Sequence, residues 1–385
     1  MQAYLDHGAT TPLRPESLAA MLPYLTEHFG NPSGSHRVAR RARLAIDEAR
    51  DDMARCLGCR PGEIVFTSGG TEADNLAVLG VPASGRGTVL CSAVEHHAVR
   101  NACAARGGTT VAVHRDGVVD LDALAGALGP EVGLVSVMLV NNEVGTVQPL
   151  ADVAALVRAL CPGALVHTDA VAAVGWLDVA ADAAVADLVS VSAHKFGGPK
   201  GVGALVVRDG ARLAPVLFGG TQERGRRPGT HDVAGIVGMA AALRVATDAR
   251  PLTAGRVARQ RARLADGLVA SIGDVRETVG EPGGAARGAP ADHGGAKAAS
   301  SCHLLVAGVD QEELLVLLDD EGVCASAGSA CASGALEPSH VLLAMGLNPD
   351  QAKTGIRFSL GYTTTDDEID HVLAVMPKVV ERLRA

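Results

Sequence analysis

Through its first 250 residues the sequence alternates short runs of Val, Ile and Leu with stretches of helical periodicity. The runs are Ile64–Phe66, Thr88–Leu90, Leu134–Val140, Ala164–Val166, Leu188–Val191 and Gly203–Val207. They lack the strict apolar–polar alternation of a strand with one wet face. They fit strands covered on both sides, as in a parallel sheet. Between them Ile46, Ala49, Met53 and Leu57 recur at helical spacing, as do Val153, Leu156, Val157 and Leu160. Strands alternating with helices imply an α/β layered domain.

After residue 250 the texture changes. A polar, alanine-rich helical pattern runs from Thr253 to Ala270, and residues 280–299 are nearly all Gly, Ala and Pro with a few charges, which reads as a surface loop. An apolar run (His303–Val306), a helix (Gln311–Glu321) and a Gly/Ser/Ala loop around Cys331 follow. The last helix opens with the capping pattern Thr365-x-x-Glu368 and carries Ile369, Val372, Leu373, Met376, Val380 and Leu383 on one face. At 385 residues the chain exceeds what one core usually holds, so two domains are expected, 1–250 and 251–385.

A net charge of −9 with 2% aromatic residues argues against a nucleic-acid binder, which needs basic surface and stacking platforms. No apolar stretch is long enough to span a bilayer. The start, Met1–Asp6, lacks a basic segment followed by an apolar run, so a cytoplasmic protein is expected. Eight cysteines in a chain of this length read as core thiols, one or two of them reactive, and not as a disulfide framework.

Three motifs carry chemistry together. In Glu63–Glu72 a buried strand ends in Ser68-Gly69-Gly70-Thr71 and a helix begins, a geometry that aims backbone N–H groups at a phosphate; the alternative is an ordinary βα turn with a Thr cap. The segment matches neither a Walker A loop nor a dinucleotide fingerprint. Asp169 follows an apolar strand, where ligands of open α/β sheets gather, and reads either as a buried carboxylate with a cationic partner or as a helix N-cap. Lys195 stands at a strand end among small residues, before the Gly-rich loop 197–201. Desolvation there frees an amine for Schiff-base chemistry; the alternative is a solvated loop lysine. A carboxylate for a pyridinium nitrogen, an amine for an aldehyde and a phosphate cradle are what pyridoxal 5′-phosphate (PLP) needs.

Two further residues stand out. Cys331 lies in Gly328–Gly334 among Gly, Ser and Ala, which suits a nucleophile and also an incidental surface thiol, whereas Cys324 reads as structural. Arg357 alternates with Ile356 and Phe358 on a strand, placing it for carboxylate capture or for a surface ion pair. Cys56-x-x-Cys59 has no second pair, and His96-His97 has no third ligand nearby in sequence, so no metal site is expected.

In order along the chain, Tyr4–Pro12, Phe29–Ser33, Thr67–Asn75, Glu95-His96, Asn141–Gly145, Ser192–Lys195, Gln222–Arg224, Gly229-Thr230 and Gly328–Cys331 resemble the cysteine desulfurase family. The resemblance covers nearly the whole chain. It implies the fold-type I PLP-dependent architecture: a large domain with a mostly parallel sheet flanked by helices, and a smaller C-terminal α/β domain on which the first dozen residues pack. It also implies that Lys195 holds the PLP aldehyde, that Asp169 pairs with the pyridinium nitrogen, and that His96 stacks on the ring and assists proton transfer. Gly70, Thr71, Ser192 and His194 would hold the phosphate, with Thr230 arriving from the other subunit of a homodimer. Asn142 and Arg357 would bind the carboxylate region of L-cysteine. Cys331 would take the sulfur as a persulfide and release alanine. The segment Leu336–His340 resembles the branch that passes sulfur to acceptor proteins for iron–sulfur cluster assembly and tRNA thiolation.

The sequence departs from the family at Ala172, where Gln usually bonds the PLP ring oxygen, and at Thr221 and Pro228, where Gly and Ser are common. One lost bond costs on the order of 1 kcal/mol, so weaker or spectrally altered PLP is expected. The rival readings are a selenocysteine lyase or aminotransferase-like enzyme of the same fold type and, on account of Ala172, a PLP-poor sulfur-transfer scaffold. A nicotinamide dehydrogenase ranks behind both for want of a dinucleotide fingerprint.

Overall fold

A computed structural model describes residues 1–82, 87–279, 296–328 and 338–385. The strands are β1 (Ala3–Tyr4), β2 (Ile64–Thr67), β3 (Thr88–Ser92), β4 (Thr109–Val111), β5 (Val132–Ser136), β6 (Leu165–Asp169), β7 (Leu188–Ser192), β8 (Gly203–Val207), β9 (Val275–Glu277), β10 (Ser301–Val306), β11 (Val323–Cys324) and β12 (Gly355–Ser359).

Seven of them form one sheet in the order β2-β8-β7-β6-β5-β3-β4. Strands β3 to β7 are parallel, and every residue of β5, β7 and β8 is buried, as expected of strands covered by helices on both faces. β8 departs from the parallel pattern, running antiparallel to both β7 and β2. The link Ala193–Val202 is too short for the crossover helix that a parallel neighbour requires, so the chain turns back as a hairpin. The strand expected over Leu134–Val140 is shifted: β5 ends at Ser136, and Val137–Val140 continue as buried irregular chain.

The antiparallel sheet β12-β10-β9 and the parallel pair β1–β11 lie apart from it in sequence and in core. A single helix, Val233–Ser271, serves both cores. Ile236, Met239 and Leu243 pack with the seven-stranded sheet, whereas Val257, Leu264 and Leu268 pack with β10, β12 and the last helix. That last helix, Asp366–Arg384, begins with the expected Thr365/Glu368 capping box. Among the described residues no helix is long and apolar enough to cross a membrane. Most of the segment 280–299 lies outside the described residues. At its end, Lys297 bridges to Thr146.

Candidate active site

β6 and β7 pair in parallel with Asp169 opposite Ser190, so their C-terminal ends lie side by side. Asp169 is the last residue of β6, and the tight turn Ala193–Lys195 follows β7 directly. Carboxylate and amine therefore open into one cavity of about 380 Å³, at the strand ends where open α/β sheets bind ligands. Gly70, Thr71, His96, Asn142, Ser192, His194 and Arg357 also line it.

The Lys195 amine donates to the carbonyl oxygens of Gly8 and Ala9, the latter at 3.0 Å. Asp169 Oδ1 accepts from the Val171 N–H at 2.8 Å. Burial outweighs that bond and the charge of Lys195, and pushes the Asp169 carboxyl up to about 6. Asp74 and Glu95 are buried beside it and are also pushed upward, chiefly by burial and further by the charge of Asp169. Among the described residues Asp74 Oδ1 and Glu95 Oε2 have no hydrogen-bond partner, His167 Nε2 standing 3.7 Å from the former. Asp74 and Asp169 thus line one cavity with Glu95 buried close by, an arrangement that favours positive charge placed against Asp169, as Lys195 already supplies in part.

His96 is the N-cap of helix His97–Ala105, and its Nδ1 accepts from the Ala98 N–H at 3.2 Å. Burial, then Lys195 and His97, lower it to about 4, so the ring is neutral at pH 7 with its proton on Nε2. His194 is held at about 4 for the same first two reasons, and its Nδ1 lies 3.2 Å from Thr10 Oγ1.

At the other end of the cavity β2 turns through Gly69 (φ +149°), a conformation that suits glycine, into helix Gly70–Leu79. A Cβ on Gly70 would meet Val171 Cγ2 at 2.9 Å and Ser192 Cβ at 3.4 Å. Gly70 and Thr71 in the first turn of that helix line the cavity together with Ser192 and His194, and the N–H groups of a helix start are the kind of donor that suits an anion.

Thr230 is exposed and does not line the cavity of its own chain. Cys331 lies outside the described residues. Cys324 sits on β11 with its Sγ 3.7 Å from Gln2 Nε2, and burial raises the Cys59 thiol to about 11. His97 packs edge-on against His340 with ring centroids 4.6 Å apart. The described residues contain one group of three potential metal ligands within 4.8 Å of one another, Asp74, His96 and Asp169, and it belongs to this cavity.

Sequence reasoning did not single out Asp74, Glu95, Glu143 or His340 as lining or flanking groups. Asp74 carried a usable signal: it stands one helical turn after Gly70 and so shares its face. Glu143, which accepts from Ser339 Oγ at 2.5 Å, is brought to its partner across 196 residues and had no local signal. Ala172 lines both this cavity and a smaller one of about 60 Å³ that reaches Trp176 and Tyr362.

A family model described as aminotransferase class-V matches residues 3–372. The chain belongs to the aminotransferase class-V family. It is 40% identical over 391 aligned residues to cysteine desulfurase IscS of Dictyoglomus turgidum, covering 100% of this chain and 95% of that protein. It is 43% identical over 393 aligned residues to a cysteine desulfurase of Cereibacter sphaeroides, covering 100% and 97%. A solved NifS-like protein superposes over the whole of both chains with a TM-score of 0.89 and 32% identity. The protein is a PLP-dependent cysteine desulfurase with the fold-type I architecture.

The cavity fits that cofactor. Asp74 and Asp169 bring buried carboxyls to one side of it, the turn at Gly70 has no room for a side chain, and the Lys195 amine lines the same cavity.

Proposed function

We propose that Lys195 holds PLP covalently through Nζ, that Asp169 faces the ring nitrogen, and that His96 covers the ring. Gly70, Thr71, Ser192, His194 and Thr230 of the partner subunit would bind the phosphate. Asn142 and Arg357 would bind the substrate carboxylate. The observation that carries this reading is the meeting of Asp169 and Lys195 at adjacent parallel strand ends, opposite a helix N-terminus.

Bound there, PLP supplies an electron sink for bonds at the amino acid's Cα and Cβ. The chain does the rest. The Asp169 carboxylate would hold the ring nitrogen in its protonated form. Lys195 Nζ, steadied by the Gly8 and Ala9 carbonyls, moves protons at the substrate carbon. Neutral His96, with its proton on Nε2, would assist proton transfer as a hydrogen-bond donor through that N–H. The Cys331 thiol attacks the substrate sulfur: a sulfur–sulfur bond forms, the carbon–sulfur bond breaks, and a proton replaces sulfur on Cβ. L-Cysteine and thiol become L-alanine and a persulfide on Cys331, which passes its outer sulfur to an acceptor protein for iron–sulfur cluster assembly or tRNA thiolation.

The same reading makes the protein a cytoplasmic homodimer with domains 1–250 and 251–385. Helix Pro15–Thr26 exposes Leu18, Leu22 and Leu25 along one side, and Phe29 and Phe218 are 81% and 87% exposed, an apolar surface suited to a second copy. The change of core along helix Val233–Ser271 supports the division into domains.

Purified protein given L-cysteine under reducing conditions should release alanine and sulfide. Cys331→Ala should abolish turnover and keep the yellow cofactor. Full turnover by that variant would overturn the assignment of the nucleophile.

A further inference from the structure

Arg357 is among the largest fully buried side chains, so both its charge and its orientation need an account. Nη2 donates to Asp6 Oδ1 at 2.8 Å, and Nη1 donates to the carbonyls of Asn142 at 2.9 Å and Gly328 at 3.3 Å. The Nε–H is buried and has no partner among the described residues, while the guanidinium lines the cavity that holds Lys195 and Asp169. The five N–H groups of arginine lie in one rigid plane, so fixing Nη1 and Nη2 fixes the direction of Nε–H.

Asp6 is itself held on both sides. Leu5 N donates to Cys324 O at 3.0 Å, His7 N donates to Ser359 O at 3.1 Å, and Asp6 bridges Ser359. Two residues further on, Gly8 and Ala9 offer their carbonyls to Lys195. Asp6 accepts from Nη2 through one oxygen and the buried Glu143 carboxyl also feels the Arg357 charge, while Nε–H keeps no hydrogen-bond partner among the described residues and is left for a further carboxylate.

We propose that Asp6 is a positioning residue for substrate: it orients the Arg357 guanidinium so that its open N–H edge meets the carboxylate of the incoming amino acid. The proposal rests on the reading of Arg357 as the carboxylate-binding group. The competing account is a structural one, in which Asp6 only ties the N-terminal segment to β12.

The test compares Asp6→Ala, Asp6→Asn and Arg357→Ala as holoenzymes. KM and kcat for L-cysteine are measured, together with L-alanine binding followed by cofactor absorbance without turnover. Asp6→Ala should raise KM and weaken alanine binding by about tenfold each, with kcat within about twofold and cofactor content unchanged. Asp6→Asn keeps an acceptor oxygen for Nη2 and should restore most of the loss. Unchanged KM and alanine affinity in Asp6→Ala would overturn the proposal. So would a lowered Tm and cofactor content at unchanged KM, which mark a structural tie, or an Asp6→Asn as impaired as Asp6→Ala. If Arg357→Ala weakens alanine binding and Asp6→Ala does not, the proposal alone fails. If Arg357→Ala binds alanine normally, the underlying reading of Arg357 fails with it.

Discussion

Asp169 and Glu223 are both buried, and their surroundings drive them in opposite directions. Asp169 receives one backbone N–H at 2.8 Å and the charge of Lys195, with Asp74 and Glu95 nearby, and rises to about 6. For Glu223, too, burial is the largest single influence, and it acts upward. Yet Glu223 receives Arg50 at 2.6 and 3.0 Å, His231 Nε2 at 2.7 Å and the Phe66 N–H at 3.1 Å, and falls to about 2. The number of donors, and not depth alone, sets the charge of a buried acid. Glu223 is saturated by its own chain, as a structural group should be, and it anchors a loop that passes through left-handed Glu223 (φ 48°) and Arg224 (φ 57°). Asp169 has one backbone N–H and the charge of Lys195, and it lines a cavity.

The largest effect should fall on Asp169. Asp169→Asn should lower desulfurase turnover roughly 10³-fold by leaving the ring nitrogen without an anion, measured on protein with its cofactor content determined. Glu223→Gln should spare the chemistry and cost about 3 kcal/mol of stability by stripping Arg50 of its counter-charge, read as a fall in Tm. A Glu223→Gln protein of normal Tm and no activity would break the contrast.

The pH dependence sharpens it. The Asp169 carboxyl titrates near its ordinary 3.8 in the unfolded chain and near about 6 in the folded apoprotein, so between these the folded state holds the extra proton. Asp169 should therefore contribute a fall of roughly 2–3 kcal/mol in apoprotein stability as pH rises from about 4 to 6, and apo Asp169→Asn should lose that share while keeping the contributions of Asp74 and Glu95, which are raised as well. Glu223 runs the other way: its contribution is complete above its ordinary 4.5 and is lost as pH falls toward about 2. Tm of wild type and both variants across this range checks both signs; parallel curves would contradict them. The smallest effect is at the cradle. Gly70→Ala should weaken PLP affinity by about tenfold, because its Cβ meets Val171, and equilibrium titration of the apoprotein measures this.

Much of this was legible in the sequence. The runs at Ile64, Leu188 and Gly203 became strands because short, valine-containing and largely apolar segments bounded by turn residues have few other uses. Asp169 and Lys195 were readable as partners because neighbouring strands of one sheet carry them to the same edge. The reversal of β8 was missed because composition does not encode strand direction; the length of the link does. The Asp6–Arg357 pair and the Glu143–Ser339 bond join residues 351 and 196 positions apart, and no local pattern announces such contacts. The acid cluster of Asp74, Glu95 and Asp169 is likewise assembled from a helix, a loop and a strand.

Borohydride reduction of the holoenzyme, followed by peptide mass spectrometry, tests the central assignment most directly. PLP should be found attached to Lys195. Attachment to Lys200 or to any other residue, or none at all in protein saturated with PLP, would contradict the account.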